Sequence, residues 1–362
     1  MPLPAPAQRP IIELPAGRGR QFDARVRIEQ FDPESDADRL KACYDIVAAG
    51  SPIDHPNLPG WPLRSFRLKW TYSFDSAPGE AWLATDDSGE PAGCYQLRLP
   101  VQENVTLARV ILQVPPSRRR AGIGSELLAH CAGRARSAGR ARMCGEARDG
   151  SPGAAFARAV GAQAGIAEVT RILDVDSKLP ARLDRLRAVA QAMATGYSLL
   201  SWRGATPREY LDEVAGLNNA MTDAPHDEGV QATRWDGQRV AEQEEHALAH
   251  GLRFLTVAAR CDDTGELAGL TQISTDDGTP DWAFQQITAV SKEHRGHRLG
   301  LLVKVANMEQ LLSDDPSVRR VLTGNAGANQ YMIAINEMLG FRVSDHYRNW
   351  GLDLAADIGA AR

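Results

Sequence analysis

Hydrophobic and polar positions follow two kinds of pattern along the chain. Apolar runs and strict alternation predict strands, which in the first half fall at 25–30, 80–85, 92–99, 105–114, 142–147 and 168–175. Apolar residues at three- and four-residue intervals predict helices at 35–49, 125–138 and 154–160. The segment 50–62 contains four prolines and is predicted to be a loop.

The same order of elements is predicted again after a basic helical stretch at 182–193. Strands are predicted at 197–203, 253–259, 267–274, 282–290, 321–324 and from 341 onward. Helices are predicted at 207–221, at 300–312 and at 328–339, with a further helix that ends at His246.

The two halves keep a nearly constant spacing, which indicates the duplication of one α/β domain. Val114 and Val290 are 176 residues apart, as are Gly124 and Gly300. The glycines that close the later helix of each half are 179 residues apart. The prediction is a tail at 1–22, a first domain at 23–178, a connector helix at 179–196 and a second domain at 197–362.

Composition narrows the function classes. Hydrophobic residues make up 43% of the 362 residues and charged residues 24%, which is ordinary for a globular protein. The net charge of -5 lacks the basic excess that nucleic-acid binding needs. The five cysteines are scattered and have no metal-site spacing, and no apolar run approaches the ~20 residues of a membrane span. We expect a cytoplasmic protein with reduced thiols and no metal, membrane or nucleic-acid partner.

The segment 112–125 has the layout of an anion site. A strand ends, a loop with two glycines follows, and a helix begins. Backbone N–H groups and the helix dipole then favour a phosphate or diphosphate, although a tight turn without a ligand fits the same pattern. The residues expected at this site are Leu112, Val114, Arg119, Arg120, Gly122, Gly124 and Ser125.

This loop resembles the Q/R-x-x-G-x-G/A motif of the GCN5-related N-acetyltransferase (GNAT) superfamily, which 119–124 fits throughout. The segment 290–300 has the same layout, but Arg298 replaces the middle glycine and could either pair with a phosphate or narrow the loop. The corresponding cofactor residues of the second half are Val290, Arg295, Gly296, His297, Arg298, Leu299, Gly300 and Asn329.

The resemblance covers about residues 25–355 as two tandem copies. It implies an α/β (α+β) fold in which each copy has a twisted mixed sheet flanked by helices. Two strands would splay apart, and acetyl-CoA or another acyl-CoA would bind there as co-substrate, without a metal. The implied reaction is direct acyl transfer to a primary amine of a small molecule, an amino sugar or a peptide.

Direct acyl transfer needs a donor for the thioester oxygen and an acceptor for the amine proton. A backbone N–H at Val114 or Val290 could serve the oxygen. Asn336 stands where many family members have the tyrosine thought to protonate the departing thiolate. The loop 223–228, with His226 and Asp227, lies where the family binds its acceptor, although an acidic solvated loop is the plainer interpretation.

Neither copy has the complete family pattern. The later helix of the first half has Gly150 where Asn is expected and Ala157 where Tyr is expected. We predict that the second half is catalytic, because its acceptor loop and later helix have more polar groups, and that the first half can also bind the cofactor. The alternative is a non-catalytic acyl-CoA-binding sensor or scaffold. Either a monomer or a dimer fits the sequence.

Overall fold

The computed structural model describes residues 26–71, 79–221, 230–249, 251–326 and 329–354. The first half contains β1 (Arg27–Phe31), α1 (Ala37–Asp54), α2 (Leu63–Thr71), β2 (Gly79–Thr85), β3 (Pro91–Arg98), β4 (Leu107–Gln113), α3 (Ile123–Ser137), β5 (Arg142–Arg148), α4 (Pro152–Ala159), β6 (Gln163–Asp174) and α5 (Leu179–Gln191). The second half contains β7 (Tyr197–Arg203), α6 (Leu211–Ala220), α7 (Gly237–Ala249), β8 (Leu252–Cys261), β9 (Leu267–Asp276), β10 (Trp282–Val290), α8 (Leu299–Asp314), β11 (Arg320–Ala326), α9 (Gln330–Leu339) and β12 (Arg342–Asp353).

The region predicted to be a loop at 50–62 is partly helical, so that prediction was wrong at its start. Helix α1 continues through Pro52 to Asp54. It packs its buried face against the sheet, and this tertiary contact outweighs the local signal of the prolines. The sequence pattern did not predict α2. Its Phe66 and Trp70 side chains are buried in the hydrophobic core into which α1 also packs.

The strands form one twelve-stranded sheet in the order β1-β2-β3-β4-β5-β12-β6-β11-β10-β9-β8-β7. The last strand of each half therefore crosses to the other half. β12 pairs antiparallel with β5 of the first half, and β6 pairs antiparallel with β11 of the second. β6 and β12 also pair with each other, so the two halves meet along the exchanged strands.

Helices cover both faces of this sheet. On one face, α1 and α2 pack on the first half, and α6 and α7 pack on the second. On the other face, α3 covers the first half and α8, with α5, covers the second. No helix within the described ranges is long and apolar enough to cross a membrane.

The hairpin loops of each half also contact the helical connection of the other. Asn104, between β3 and β4, donates from Nδ2 to the Gln231 carbonyl at 3.0 Å. Ser65 on α2 donates to Asp276 at the end of β9 at 2.5 Å. The halves are therefore joined by loop contacts as well as by the strand exchange.

Candidate functional site

Each half has one pair of parallel strands that separates partway along its length. β4 and β5 pair from Leu107↔Arg142 to Arg109↔Cys144, although β4 continues to Gln113. β10 and β11 pair from Trp282↔Arg320 to Gln285↔Thr323, although β10 continues to Val290. We call these gaps the first and the second opening. The sequence resemblance led us to expect such gaps.

The loops that follow β4 and β10 have nearly the same backbone. Arg119 has φ -67° and ψ 157°, and its counterpart Arg295 has φ -70° and ψ 158°. Two later positions in each loop have positive φ: Arg120 at 66° and Gly122 at 88° in the first half, and Gly296 at 92° and Arg298 at 55° in the second.

The first loop thus has arginine at the earlier left-handed position and glycine at the later one, and the second loop has the reverse order. Arg298 is exposed and precedes the first residue of α8, as Gly122 precedes α3. The arginine keeps the course of the loop, and its side chain is available to an anion at the helix N-terminus.

Gly124 on α3 and Gly300 on α8 face the later helix of their half, α4 and α9 respectively. A Cβ at Gly124 would lie 3.5 Å from the Phe156 ring, and a Cβ at Gly300 would lie 3.3 Å from Ile335 Cδ1. Glycine at position 300 therefore leaves room for Ile335, whereas Phe156 lies at an ordinary contact distance from position 124. The backbone N–H groups of both glycines still lie in the first turn of α3 and α8, where such groups have no partner within the helix.

Several expected cofactor residues have a structural role of their own. Leu112 pairs with Tyr95 in the sheet and packs on the core, and Leu299 is buried. Ser125 donates its backbone N–H to the Gly122 carbonyl at 2.9 Å. Asn329 caps α9, because its side chain accepts from the Met332 backbone N–H at 3.1 Å.

Asp54 at the end of α1 bridges the first opening. Its carboxylate accepts two hydrogen bonds from Arg119, at 3.0 and 2.6 Å, and its carbonyl accepts from Arg148 Nε at 3.0 Å. Arg119 follows β4 and Arg148 ends β5, so Asp54 connects the two separated strands. Next to it, His55 Nδ1 lies 3.0 Å from the Tyr347 hydroxyl of β12.

The second opening differs because β10 contains a bulge. Gln285 pairs with Ile273 and Thr288 with Thr271, so Gln286 and Ile287 lie opposite the single residue Gln272. The Thr271 hydroxyl donates to the Ile287 carbonyl at 3.1 Å and fixes this irregular turn of the strand. The β3–β4 register runs from Cys94↔Gln113 to Arg98↔Arg109 without such a shift. Bulges of this kind redirect side chains and are frequent beside active sites.

A cavity of about 480 Å³ lies beside this bulge, between α6, α7 and the strands β8–β10. Gln286 and Ile287 form part of its wall, and Trp235 another part. Its buried carboxylate, Glu244, accepts from the Thr206 backbone N–H at 2.6 Å and from the Thr206 hydroxyl at 2.9 Å. His226 and Asp227, the predicted acceptor residues, lie outside the described residues.

Asn336 is buried on α9, on the side of the second half that carries α8. Its Oδ1 accepts from Lys304 Nζ at 2.6 Å, and its Nδ2 donates to Asn325 Oδ1 at 2.7 Å. Asn325 belongs to β11 beyond the last β10–β11 pair, so this network reaches the second opening. Burial lowers the pKa of Lys304 to about 7. The sequence reasoning missed Lys304, although its place in the apolar run of α8 was a usable signal.

Two carboxylates on the central strands were also missed. Glu146 on β5 and Glu168 on β6 are exposed, yet protein surrounds them on the face that carries α1, α2, α6 and α7. Incomplete solvation raises the pKa of both, and the neighbouring Glu168 contributes to the pKa of about 6 at Glu146. We call the part of the sheet surface between them, with Asn349 of β12, the central surface. Residues so distant in sequence gave no local pattern that could have revealed it.

Within the described residues, no group of three or more His, Cys, Asp or Glu side chains could hold a metal ion. The histidines of the second loop instead contact Tyr197, whose hydroxyl lies 2.9 Å from His294 Nδ1. The Tyr197 ring also packs against the ring of His297.

Comparisons with known proteins agree with this geometry. The model of the Acetyltransferase (GNAT) family matches residues 40–161. A tandem GNAT protein from the clavulanic acid biosynthesis pathway is 31% identical, covers 91% of this chain and 99% of its own, and superposes with a TM-score of 0.76. The comparison with curated proteins gives no significant match.

More distant structures share the fold. A GCN5-related N-acetyltransferase from Sphaerobacter thermophilus is 16% identical with a TM-score of 0.63, covering 91% of this chain and 96% of its own. The identity to the tandem protein extends over both halves, and the family model falls in the first. The chain therefore belongs to the GCN5-related N-acetyltransferase superfamily, as a tandem enzyme of two GNAT domains.

Proposed function

We propose that this enzyme transfers an acyl group from an acyl-CoA, most simply acetyl-CoA, to a primary amine of a small molecule, an amino sugar or a peptide. The observation that supports this is the pair of openings, each beside a loop that leads into a helix N-terminus. Bound acyl-CoA supplies the acyl group as a thioester. The loop and the helix N-terminus would hold its diphosphate, with Arg298 adding a charge in the second half.

We further propose that the second half is the catalytic one. The β10 bulge and the adjoining cavity of about 480 Å³ give this half room for an acceptor beside its opening. The first opening is bridged by Asp54, and the neighbouring His55 packs on Tyr347. This arrangement favours a first half that binds the cofactor without admitting an acceptor.

The residues of the second half divide the work of acyl transfer. A backbone N–H of β10, at the bulge or at Val290, would donate to the thioester oxygen as negative charge develops. The bulge supports this role because its extra residue lies outside the regular ladder. Asn336, held by Lys304, would orient Asn325 at the opening. His226 and Asp227 remain the predicted contacts of the amine.

The test compares Gly124→Val with Gly300→Val. The two substitutions are at corresponding positions, and each added Cβ would face a side chain of the later helix of its half, at 3.5 Å in the first half and 3.3 Å in the second. Thiol release from acetyl-CoA is measured over a panel of primary amines, and folding is checked by circular dichroism. We expect Gly300→Val to reduce turnover by about 100-fold, because misplacing a bound reactant by about 1 Å has that effect, and Gly124→Val to retain most of it.

Three outcomes would contradict parts of this proposal. An equal loss from both substitutions would refute a single catalytic half. A loss confined to Gly124→Val would assign catalysis to the first half. Acetyl-CoA binding by the unmodified enzyme without amine-dependent thiol release would instead support a sensor or scaffold.

A further inference from the structure

The strand exchange carries a side chain of the first half into the second opening. Gly324 is the first residue of β11 beyond its last pair with β10, and it pairs with Thr170 of β6. Glu168, two residues before Thr170, projects from the same face of the sheet. A Cβ at Gly324 would lie only 2.9 Å from Glu168 Oε1. The carboxylate of Glu168 therefore lies over the backbone of the second opening.

The strands of the second opening provide no carboxylate of their own. Neither β10 (Trp282–Val290) nor β11 (Arg320–Ala326) contains Asp or Glu. The carboxylate in the adjoining cavity, Glu244, is buried and accepts hydrogen bonds from Thr206 and Gln272. Glu168 is the exposed carboxylate that the exchange adds to this opening.

The surroundings of Glu168 suit a group that accepts a proton. It pairs with Tyr347 of β12 on one side, and Glu146 of β5 lies near enough for the two carboxylates to repel each other. Incomplete solvation raises its pKa, which makes the carboxylate a better base. The charged groups that act on Glu146 or Tyr347 also include Asp345 on β12, Lys69 on α2 and Arg148 on β5.

We propose that Glu168, a residue of the first half, is the proton acceptor for acyl transfer in the second half. This proposal rests on the proposed function. The ammonium group of the acceptor gives one proton to the Glu168 carboxylate, and the nitrogen lone pair forms the new C–N bond at the thioester carbon. The C–S bond breaks with its electron pair on sulfur, which takes the second nitrogen proton. Glu168 then returns its proton to solvent.

The proposal makes the second half depend on the exchanged strand β6 of the first half. β5 and β11 are the corresponding strands of the two halves. On β5, Glu146 pairs with Asn349 of β12, and on β11, Gly324 pairs with Thr170 of β6. The first half thus has a carboxylate on its own β5, and the second half borrows one from β6. Separating the halves would remove Glu168 from the second opening.

The test replaces Glu168 with glutamine, which keeps the shape of the side chain and removes its basicity. Glu337→Gln, an exposed position on α9, is the matched control. We expect Glu168→Gln to lower kcat by about 100-fold or more, as loss of a general base does, with the Kd for acetyl-CoA within about twofold. The acid limb of the kcat–pH profile that belongs to the carboxylate should disappear. Glu337→Gln should match the unmodified enzyme in all three measurements.

Two further variants probe the same geometry without removing the carboxylate. Gly324→Ala should displace Glu168 and lower kcat, because its Cβ would come within 2.9 Å of Oε1. Glu146→Gln keeps the incomplete solvation that raises the pKa of Glu168, so the acid limb should persist near its original pH. A Glu168→Gln enzyme with kcat within about threefold of the unmodified enzyme and the same pH profile would overturn the proposal, while amine-dependent turnover would leave the proposed function intact. An unmodified enzyme without such turnover would refute both.

Discussion

Lys304 provides a test of the interior of the second half. The residue is 1% exposed, and its side-chain nitrogen donates to Asn336 Oδ1 at 2.6 Å and lies 5.7 Å from the centre of the Phe341 ring. Removal from water lowers its pKa from 10.5 to about 7. The folded enzyme therefore holds a neutral lysine above about pH 7, whereas the unfolded chain keeps it protonated up to its ordinary pKa.

The sign of the pH effect follows from proton binding. Between the two pKa values the unfolded state binds more protons, so the free energy of unfolding rises with pH. The contribution of one lysine is about 1.4 kcal/mol per pH unit, or about 3 kcal/mol between about pH 7 and about pH 9.5. Below pH 7 the cost of burying the charge is fully present, and it disappears as the pH approaches 10.5.

The assay is urea unfolding of the full chain and of Lys304→Met at pH values across that range. Methionine has a similar length and no charge, so the variant lacks this pH dependence. The lost hydrogen bond to Asn336 costs about 1–3 kcal/mol at every pH and cancels from the comparison between pH values. From about pH 7 to about pH 9.5, the free energy of unfolding of the unmodified enzyme should rise by about 3 kcal/mol relative to that of Lys304→Met. Lys178→Met, at an exposed lysine, should show no such change with pH. If the unfolding free energies of the unmodified enzyme and Lys304→Met differ by the same amount at every pH, Lys304 is not a neutral buried lysine.

Two further predictions concern the cofactor loops. Arg298→Gly should weaken acetyl-CoA binding to the second half by about tenfold or more, because a charged hydrogen bond to a phosphate contributes about 1.5–3 kcal/mol. Calorimetric titration checks this, and Arg120→Gly, the same change at the left-handed position of the first loop that corresponds to Gly296, is the comparison. Unchanged affinity would show that Arg298 does not contact the cofactor. Asp54→Asn should tighten acetyl-CoA binding to the first half by about tenfold, because it releases Arg119 and removes a negative charge from the opening. Calorimetric titration in the Gly300→Val background measures this affinity. Weaker or equal binding would contradict the role of the Asp54 bridge.

Much of the fold could be predicted because the signals are local. Strands such as β7 and β10 begin and end where the alternation of apolar residues predicts, and the two loops follow from glycine, arginine and a helix start at fixed spacing. α1 shows the limit of such signals, since its packing on the sheet extended it four residues past the predicted loop start at Gly50.

The candidate site divides in the same way. The sequence by itself determined the repeat, the two strand–loop–helix segments with Arg119 and Arg298 in them, and the position of Asn336 on the later helix of the second half. Only the tertiary structure decided the exchange of β6 and β12, because the partner of a strand is chosen by long-range pairing that periodicity does not encode. The bridge at Asp54, the buried Lys304–Asn336–Asn325 network and the carboxylate of Glu168 over Gly324 all depend on contacts between distant segments. The residues within one loop are determined by local sequence, whereas the contacts shared between the halves form only when the sheet is assembled.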